Sequence, residues 1–404
     1  MADSIGCVPL VIGLCPRDNH REDAVPEPLV LLLPRSSYLM SVAHLVREAF
    51  AAFVPTIGKP LAVWLCRGGG GNNNNSGVER PLPWHYPIGV LFDLLSPSSS
   101  SNFNSQSSSS PQTARPLFLT ARMTPVVEES PSDVPLCVIG TGRLDPHSGT
   151  EDNASSPAFS VDDSKREKRE VQHAVSVFIR QCLKASLASS FGTTRHYFTL
   201  DPASSEALSN ALVATDEEFL LEGGLTRFRK SREALLKQAT VTHPTKYLIA
   251  VYDAQLDSIA PKMTTVSAAQ VHSTDVSSSG SGGGGHGDQK DVFTFAHLLA
   301  MAAANLGGSD VFFSLATITT SVASVGSPSS TEGHLPLLSR GEVDLMLDEF
   351  HDSRARRMEK DGGRLLILVD GIEIPMKAPA SLVLKHFLGY DYRLHIVLAK
   401  KPIE

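Results

Sequence analysis

The sequence predicts an α+β protein in which two small mixed sheets, each crossed by a helix, flank a helix-rich segment. Three observations predict this class. Strand-like and helix-like segments follow one another in the same order near both ends of the chain, and a stretch of helical periodicity lies between them. Four polar low-complexity segments interrupt these blocks, and they are typical of insertions that bury little apolar surface.

The N-terminal block combines short apolar runs with one amphipathic helix. Apolar runs at residues 8–14, 29–33, 61–66 and 116–122 predict four strands. Before the third run, apolar residues recur at helical spacing, namely Leu39, Val42, Ala43, Val46, Phe50 and Phe53. The solvent side of this helix is expected to comprise Ser41, His44, Arg47 and Glu48. Strand, strand, helix, strand, strand is the order of the β-grasp, or ubiquitin-like, fold.

The C-terminal block repeats that order without sharing obvious sequence with the first. Residues 246–253 predict a strand, residues 262–266 a weaker one, and residues 291–305 a mostly buried helix. Apolar runs at 365–369 and 394–398 predict two further strands. A second ubiquitin-like domain is therefore expected.

The middle block is predicted to be helical. Ser164 and Glu167 have the spacing of a capping box, which indicates a helix start near Lys165. The apolar face expected for this helix comprises Val171, Ala174, Val175, Phe178, Cys182 and Ala185. A second helical stretch is expected at residues 226–237.

These blocks define the expected domain limits. We predict an N-terminal ubiquitin-like domain at 1–145, a linker at 146–164, a helix-rich domain at 165–242 and a C-terminal ubiquitin-like domain at 243–404. Disordered insertions are expected at about 68–77, 96–115, 268–290 and 317–340.

Composition excludes several classes of protein. The chain has 404 residues with 36 Lys plus Arg against 43 Asp plus Glu, and its net charge of −7 argues against nucleic-acid binding. Five widely spaced cysteines without a C-x-x-C motif argue against a disulfide framework or zinc ribbon, and they fit a reducing compartment. No basic region precedes the first apolar run, and no run approaches the roughly 18 apolar residues of a membrane span. A cytoplasmic protein is expected.

No residue pattern indicates a catalytic, cofactor or metal site. The glycine runs at 68–71 and 282–285 lack the Lys-Ser/Thr that follows a phosphate-binding loop, so we interpret them as linkers. His85 and His395 lie in apolar sequence and are interpreted as packed, hydrogen-bonded histidines. Cys182 lies on the predicted apolar helix face, where a thiol is usually inert. The expectation is a protein that is not an enzyme.

Two basic clusters have two possible roles. Residues 227–232 and 354–357 are rich in arginine, and either cluster can contact anionic lipid head groups. The interpretation we favour is a solvated helix face.

Residues 82–95, LPWHYPIGVLFDLL, form the most distinctive segment of the chain. By its chemistry alone the segment predicts a proline-fixed turn leading into a short core helix. The run resembles the Trp-His-Tyr-Pro signature of the autophagy protein 5 family. Residues 27–39 resemble the family segment upstream of that signature, and residues 371–375 with 379–398 resemble the family's C-terminal end. The chain is identified as a member of that family, with unusually long insertions.

The resemblance implies a role as well as a fold. It implies two ubiquitin-like domains flanking a helix-rich domain, without catalytic activity of their own. One lysine would accept the C-terminal glycine of the ubiquitin-like autophagy protein 12 in an isopeptide bond. With autophagy protein 16 bound non-covalently, the conjugate would act like a ligase on the conjugating enzyme of autophagy protein 8, promoting its attachment to phosphatidylethanolamine. Peripheral contact with the phagophore, or preautophagosomal, membrane is implied too.

The resemblance also implies which lysine is the acceptor. The family carries it on the first helix of the central domain, after a phenylalanine and a cysteine, and Phe178, Cys182 and Lys184 match that pattern. At 100° per residue, Lys184 is expected roughly 130° from the predicted apolar face, pointing to solvent. A large conjugating enzyme would be able to reach such an amine.

Two alternatives belong to other classes. A general ubiquitin-like adaptor, or a free modifier, would not be conjugated at Lys184. A modifier needs a C-terminal glycine, and residues 400–404 contain none. A cysteine-dependent conjugating enzyme would need an accessible thiolate.

Overall fold

The computed structural model describes two compact units. The long central helix contributes its residues up to Gln181 to the first unit and those from Cys182 to the second. The described residues are 7–21, 23–54, 61–67, 81–95, 116–125, 137–138, 161–199, 202–203, 244–254, 261–272, 292–306, 340–361, 363–389 and 391–402. The helix expected at 226–237 and most of the expected insertions lie outside these ranges.

The first unit contains a mixed five-stranded sheet. Its strands are β1 (Cys7–Leu14), β2 (Leu29–Pro34), β3 (Leu61–Arg67), β4 (Leu117–Pro125) and β5 (Cys137–Val138). The strand order is β2-β1-β4-β3-β5, with β1 and β4 parallel at the centre and antiparallel neighbours on both sides. This arrangement confirms the predicted ubiquitin-like fold, and β5 adds a short strand that the sequence pattern did not indicate.

One helix, α1 (Ala43–Phe50), crosses this sheet after a 3-10 turn at Leu39–Val42. Its Val46 and Phe50 are fully buried, as the spacing predicts. The expected solvent side is wrong at Ser41 and His44, which are buried. The 3-10 turn shifts the phase of the helix, and Ser41 donates its hydroxyl proton to the Tyr38 carbonyl at 2.7 Å.

The second unit contains another mixed five-stranded sheet. Its strands are β6 (Lys246–Asp253), β7 (Lys262–Ser267), β8 (Gly363–Val369), β9 (Ile372–Glu373) and β10 (Arg393–Pro402). The order β7-β6-β10-β8-β9, with β6 and β10 parallel, is again that of the β-grasp fold. The α+β prediction with two ubiquitin-like domains is therefore confirmed.

The helices of the second unit include the predicted buried one. They are α5 (Ala268–His272), α6 (Phe295–Asn305), α7 (Arg340–Asp361) and α8 (Ala380–Phe387). Helix α6 matches the helix expected at 291–305 and is largely buried. Helix α5 occupies the start of the insertion expected at 268–290, because Ala268 and Val271 are buried in the core.

Three further helices carry the features that matter for function. They are α2 (Ile88–Leu95), α3 (Val161–Phe191) and α4 (Arg195–Phe198). Helix α2 is the predicted short helix of the aromatic segment, whereas α3 begins four residues before the predicted start at Lys165. Helix α3 ends where Gly192 adopts a left-handed φ of 67°, which favours glycine. Among the helices described here, none combines the length and apolarity needed to cross a bilayer.

Candidate functional site

The aromatic segment at residues 82–95 packs against helix α3 within the first unit. The Phe178 ring lies 5.0 Å from that of Trp84 and 6.4 Å from that of His85, centroid to centroid. Tyr38 adds a further edge contact at 6.1 Å. Such edge-to-face pairs are favourable aromatic geometries, so the segment anchors the helix.

His85 is half-buried among these rings. Burial lowers its pKa, because the charged imidazolium is poorly solvated there. This environment agrees with the interpretation of His85 as a packed histidine.

Close backbone contact fixes the other end of the aromatic segment. The Gly89 amide donates to the Arg35 carbonyl at 2.6 Å, and the Arg35 guanidinium donates to the Gly89 carbonyl at 3.0 Å. The same guanidinium forms an ion pair with Asp93. A Cβ atom at Gly89 would lie 2.7 Å from Arg35 Cβ, so the contact requires glycine.

Within the second unit, helix α3 buries a face that differs from the predicted one. Leu183 and Leu187 are buried, and between them Ser186 is fully buried as well. Ala185, expected on the apolar face, is exposed, and Cys182 is half-buried. Ser186 was not among the residues predicted for the apolar face, and its small side chain lets a charged group approach the helix.

That charged group begins a hydrogen-bonded chain beneath the helix. Arg393 Nε donates to Ser186 Oγ at 3.1 Å and lies 3.6 Å from Asp391 Oδ2. His395 Nε2 lies 3.0 Å from Asp391 Oδ1, and the Tyr252 hydroxyl lies 3.0 Å from His395 Nδ1. The prediction that His395 is packed and hydrogen-bonded is confirmed. The chain ties helix α3 to strands β6 and β10.

The charge of Asp391 is essential to this network. Burial alone would raise the pKa of its carboxyl group. The charge and hydrogen bond of His395, together with Arg393, outweigh burial and hold the pKa of Asp391 below its ordinary value. Asp391 is therefore ionised at neutral pH and anchors both partners.

The same environment makes Cys182 a poor nucleophile. Burial raises the pKa of its thiol, the negative charge of Asp391 raises it further, and Arg393 offsets only part of the change. A thiol with a raised pKa is protonated at neutral pH, which agrees with the interpretation of Cys182 as inert.

The turn before β10 has the backbone strain that this network requires. Tyr392 adopts a left-handed φ of 61°, and its ring packs against Phe191 with a centroid distance of 5.4 Å. A Cβ atom at Gly389 would lie 2.9 Å from Asp391 Oδ1, so the carboxylate can approach only glycine there. Non-glycine residues in this conformation persist only where their surroundings hold them.

Lys184 lies on the last part of helix α3, and its surroundings differ from the prediction. Its side chain is half-buried and does not point freely into solvent. The amine nitrogen Nζ lies 4.9 Å from the ring centroid of Tyr197 and 5.1 Å from that of Phe198, both on α4. Phe198 is 68% exposed, so this edge of the amine's surroundings is open to solvent.

The sequence analysis missed Tyr197 and Phe198. A glycine just after a long helix predicts a chain reversal, and two aromatic residues follow Gly192 closely. That signal would have indicated a segment folding back along the helix.

Only one of the two basic clusters lies within the described residues. Residues 227–232 lie outside the described ranges, whereas residues 354–357 lie on α7. We predicted a solvated helix face, but Arg354 is half-buried and does not belong to a fully solvated face. In the ranges that the structure covers, no group of three or more His, Cys, Asp or Glu side chains is placed to hold a metal ion.

Fold and site together define a protein with two ubiquitin-like domains and a long helix that presents a partly shielded lysine. A family model described as "Autophagy protein ATG5, UblA domain" matches residues 5–113. Over its first domain the chain is thus similar to the autophagy protein 5 family.

Three curated relatives named autophagy protein 5 are similar to this chain over part of their length. The Drosophila melanogaster protein is 38% identical over 88 residues, which is 21% of this chain and 29% of the relative. The Emericella nidulans protein is 33% identical over 91 residues, 22% and 24% of the two chains. The Dictyostelium discoideum protein is 33% identical over 90 residues, 22% and 19%. The matched part thus spans less than a third of each relative.

A solved structure is similar over most of the chain. The crystal structure of Kluyveromyces marxianus Atg5 covers 98% of this chain and 96% of its own, with 12% sequence identity and a TM-score of 0.49.

Proposed function

We propose that this protein acts in autophagy as a non-catalytic scaffold that accepts the ubiquitin-like autophagy protein 12 on Lys184. Similarity of the first domain to the autophagy protein 5 family supports the role in autophagy. The observation that carries the acceptor assignment is the amine of Lys184, half-buried beside two rings on a helix that is firmly anchored. In the sequence, Phe178, Cys182 and Lys184 resemble the family pattern in which the lysine is the acceptor.

Anchoring of the helix supports this role on physical grounds. An isopeptide bond forms only when the amine reaches the thioester of a large charged enzyme in a defined geometry, and a misplaced nucleophile is costly. Ser186 Oγ accepts a hydrogen bond from Arg393 at 3.1 Å, and Thr245 donates to the Ser190 carbonyl through both its amide and its hydroxyl. These contacts lie two and six residues after Lys184 and hold its backbone.

Partners and location belong to the same proposal. The conjugate would bind autophagy protein 16 non-covalently and promote transfer of autophagy protein 8 from its conjugating enzyme to phosphatidylethanolamine. The protein would be cytoplasmic, with peripheral contact at the phagophore membrane. It needs no cofactor for this role, and its net charge of −7 argues against nucleic acid as a partner.

The proposal is tested by Lys184→Arg in the full chain, expressed in its own cells. Arginine keeps the positive charge but cannot form the isopeptide bond, so we expect the slower-migrating conjugate to disappear while the protein stays folded. Lys385→Arg is the matched control, because Lys385 is exposed on helix α8 of the same unit. Persistence of the conjugate in the Lys184 variant would contradict the proposal and favour the alternative, a ubiquitin-like adaptor not conjugated at this lysine.

A further inference from the structure

Two aromatic rings lie against the proposed acceptor amine. Nζ of Lys184 is 4.9 Å from the Tyr197 ring centroid and 5.1 Å from the Phe198 centroid. Both distances are within the range of about 6 Å in which a lysine ammonium is attracted to a ring face. The two rings meet edge to face at 5.6 Å, so each supports the other.

The chain reaches this arrangement by turning back after helix α3. Gly192 adopts a left-handed φ of 67°, and the short helix α4 follows directly. Tyr197 and Phe198 therefore come close to a lysine that precedes them by 13 and 14 residues. Phe198 is 68% exposed and contributes little to a core, so its ring is available to the amine.

The backbone that carries the lysine is held as well. Ser186 lies two residues after Lys184 and is fully buried against Arg393. With the backbone fixed on that side, the rings act on the part of the lysine that remains free, which is its long side chain. A lysine side chain otherwise retains large rotamer freedom.

We infer that Tyr197 and Phe198 are positioning residues that hold the Lys184 amine at one place for transfer of a ubiquitin-like modifier. This inference rests on the proposed acceptor role of Lys184. The rings take no part in bond making. They raise the fraction of time that the amine spends where an approaching thioester meets it.

The transfer step itself is a simple acyl exchange. The ammonium of Lys184 first loses a proton to solvent, and the neutral nitrogen attacks the carbonyl carbon of the modifier's C-terminal glycine. A carbon–nitrogen bond forms and the carbon–sulfur bond to the conjugating enzyme breaks. The sulfur leaves with the bonding electrons, and the second proton passes from nitrogen to the thiolate or to solvent.

The size of the effect follows from the contacts. At an exposed site, one ring contact raises the occupancy of the position of the cation beside the ring by about two- to five-fold. Replacing both Tyr197 and Phe198 by leucine removes the π faces but keeps apolar bulk. We expect single-turnover transfer to Lys184 from the modifier-charged conjugating enzyme to slow by at least about five-fold. The paired variant Tyr197→Phe and Phe198→Tyr keeps both rings and should retain the wild-type rate.

A spectroscopic measurement separates positioning from loss of structure. Protons held over an aromatic face resonate upfield, so the Lys184 methylene next to the amine should be shifted upfield in spectra of the full chain carrying 13C-labelled lysine. The double leucine variant should return this signal to the ordinary lysine position, whereas the exposed Lys385 should not change.

Each outcome decides the inference. An unshifted Lys184 signal in the wild type, or a wild-type transfer rate in the double leucine variant, would overturn it while leaving the acceptor role intact. Retention of the conjugate in Lys184→Arg would overturn the acceptor role and this inference together. Slowed transfer with the shift lost, and both restored by the ring-retaining variant, would support it.

Discussion

Replacing Asp391 by alanine should strongly destabilise the second unit. Asp391 is only 5% exposed, it accepts the hydrogen bond of His395 at 3.0 Å, and its Oδ1 accepts from the Arg393 amide at 3.2 Å. In the alanine variant, the partly buried side chains of His395 and Arg393 would lose this carboxylate as a partner. Removing one member of a buried ion pair typically costs about 3–5 kcal/mol.

Hydrogen exchange measured by mass spectrometry tests this prediction, because it follows both units in the same sample. Amides of β10 that exchange through unfolding of the second unit should exchange about 10²–10⁴ times faster in the variant, since each 1.36 kcal/mol is a factor of ten. Amides of β1 in the first unit are the internal control and should be unchanged. Fluorescence is a second control, because both tryptophans, Trp64 and Trp84, lie in the first unit.

The variant Asp391→Asn keeps the shape of the side chain but removes its charge, so the pH dependence of stability reports the contribution of the charge. Because the pKa of Asp391 in the folded protein is held below its ordinary value, its contribution is fully present above about pH 4–5 and is lost as the pH falls toward the folded pKa. The asparagine variant should lack that part of the acid-induced loss. Protection of β10 within a factor of three of wild type in the alanine variant would refute this account of the network.

Two further substitutions test the packing on either unit. Leu187→Ala removes a fully buried side chain of α3 and should lower the free energy of unfolding of the second unit by about 2–5 kcal/mol. The loss would be measured as faster hydrogen exchange of the core amides. A loss below about 1 kcal/mol would show that the helix is not packed as described. Gly89→Ala places a methyl group 2.7 Å from Arg35 Cβ and should lower the free energy of unfolding of the first unit by about 1–3 kcal/mol. Tryptophan fluorescence should then show a lower urea midpoint of unfolding. An unchanged midpoint would contradict the close contact.

Most strands of both domains were predictable because they are short apolar runs with clear boundaries, whereas β5 and β9, of two residues each, give no sequence pattern. Strands β6 and β10 were expected to within a few residues, since burial of both faces leaves few polar positions. The parallel pairing of the first and last long strands follows once the β-grasp order is recognised. Sequence spacing failed where the helix phase changed, at Ser41 and His44, because a 3-10 turn has three residues per turn.

The site was only partly predictable, because its contacts join distant residues. Lys184 was predicted because Phe178, Cys182 and Lys184 resemble a local pattern of the family. The hydrogen bond between Tyr252 and His395 joins residues 143 positions apart, and no periodicity within one segment indicates such a pair. Burial of Ser186 was not predicted, because a serine gives no apolar signal, although a hydroxyl with a hydrogen-bond partner is readily accommodated inside a protein.

The most direct test of the central claim is the identity of the linked residue in the conjugate purified from the protein's own cells. After trypsin digestion, the account predicts a branched peptide in which the C-terminal glycine of the modifier is joined to Nζ of Lys184. A branch at another lysine, with the peptide containing Lys184 found unmodified, would contradict it.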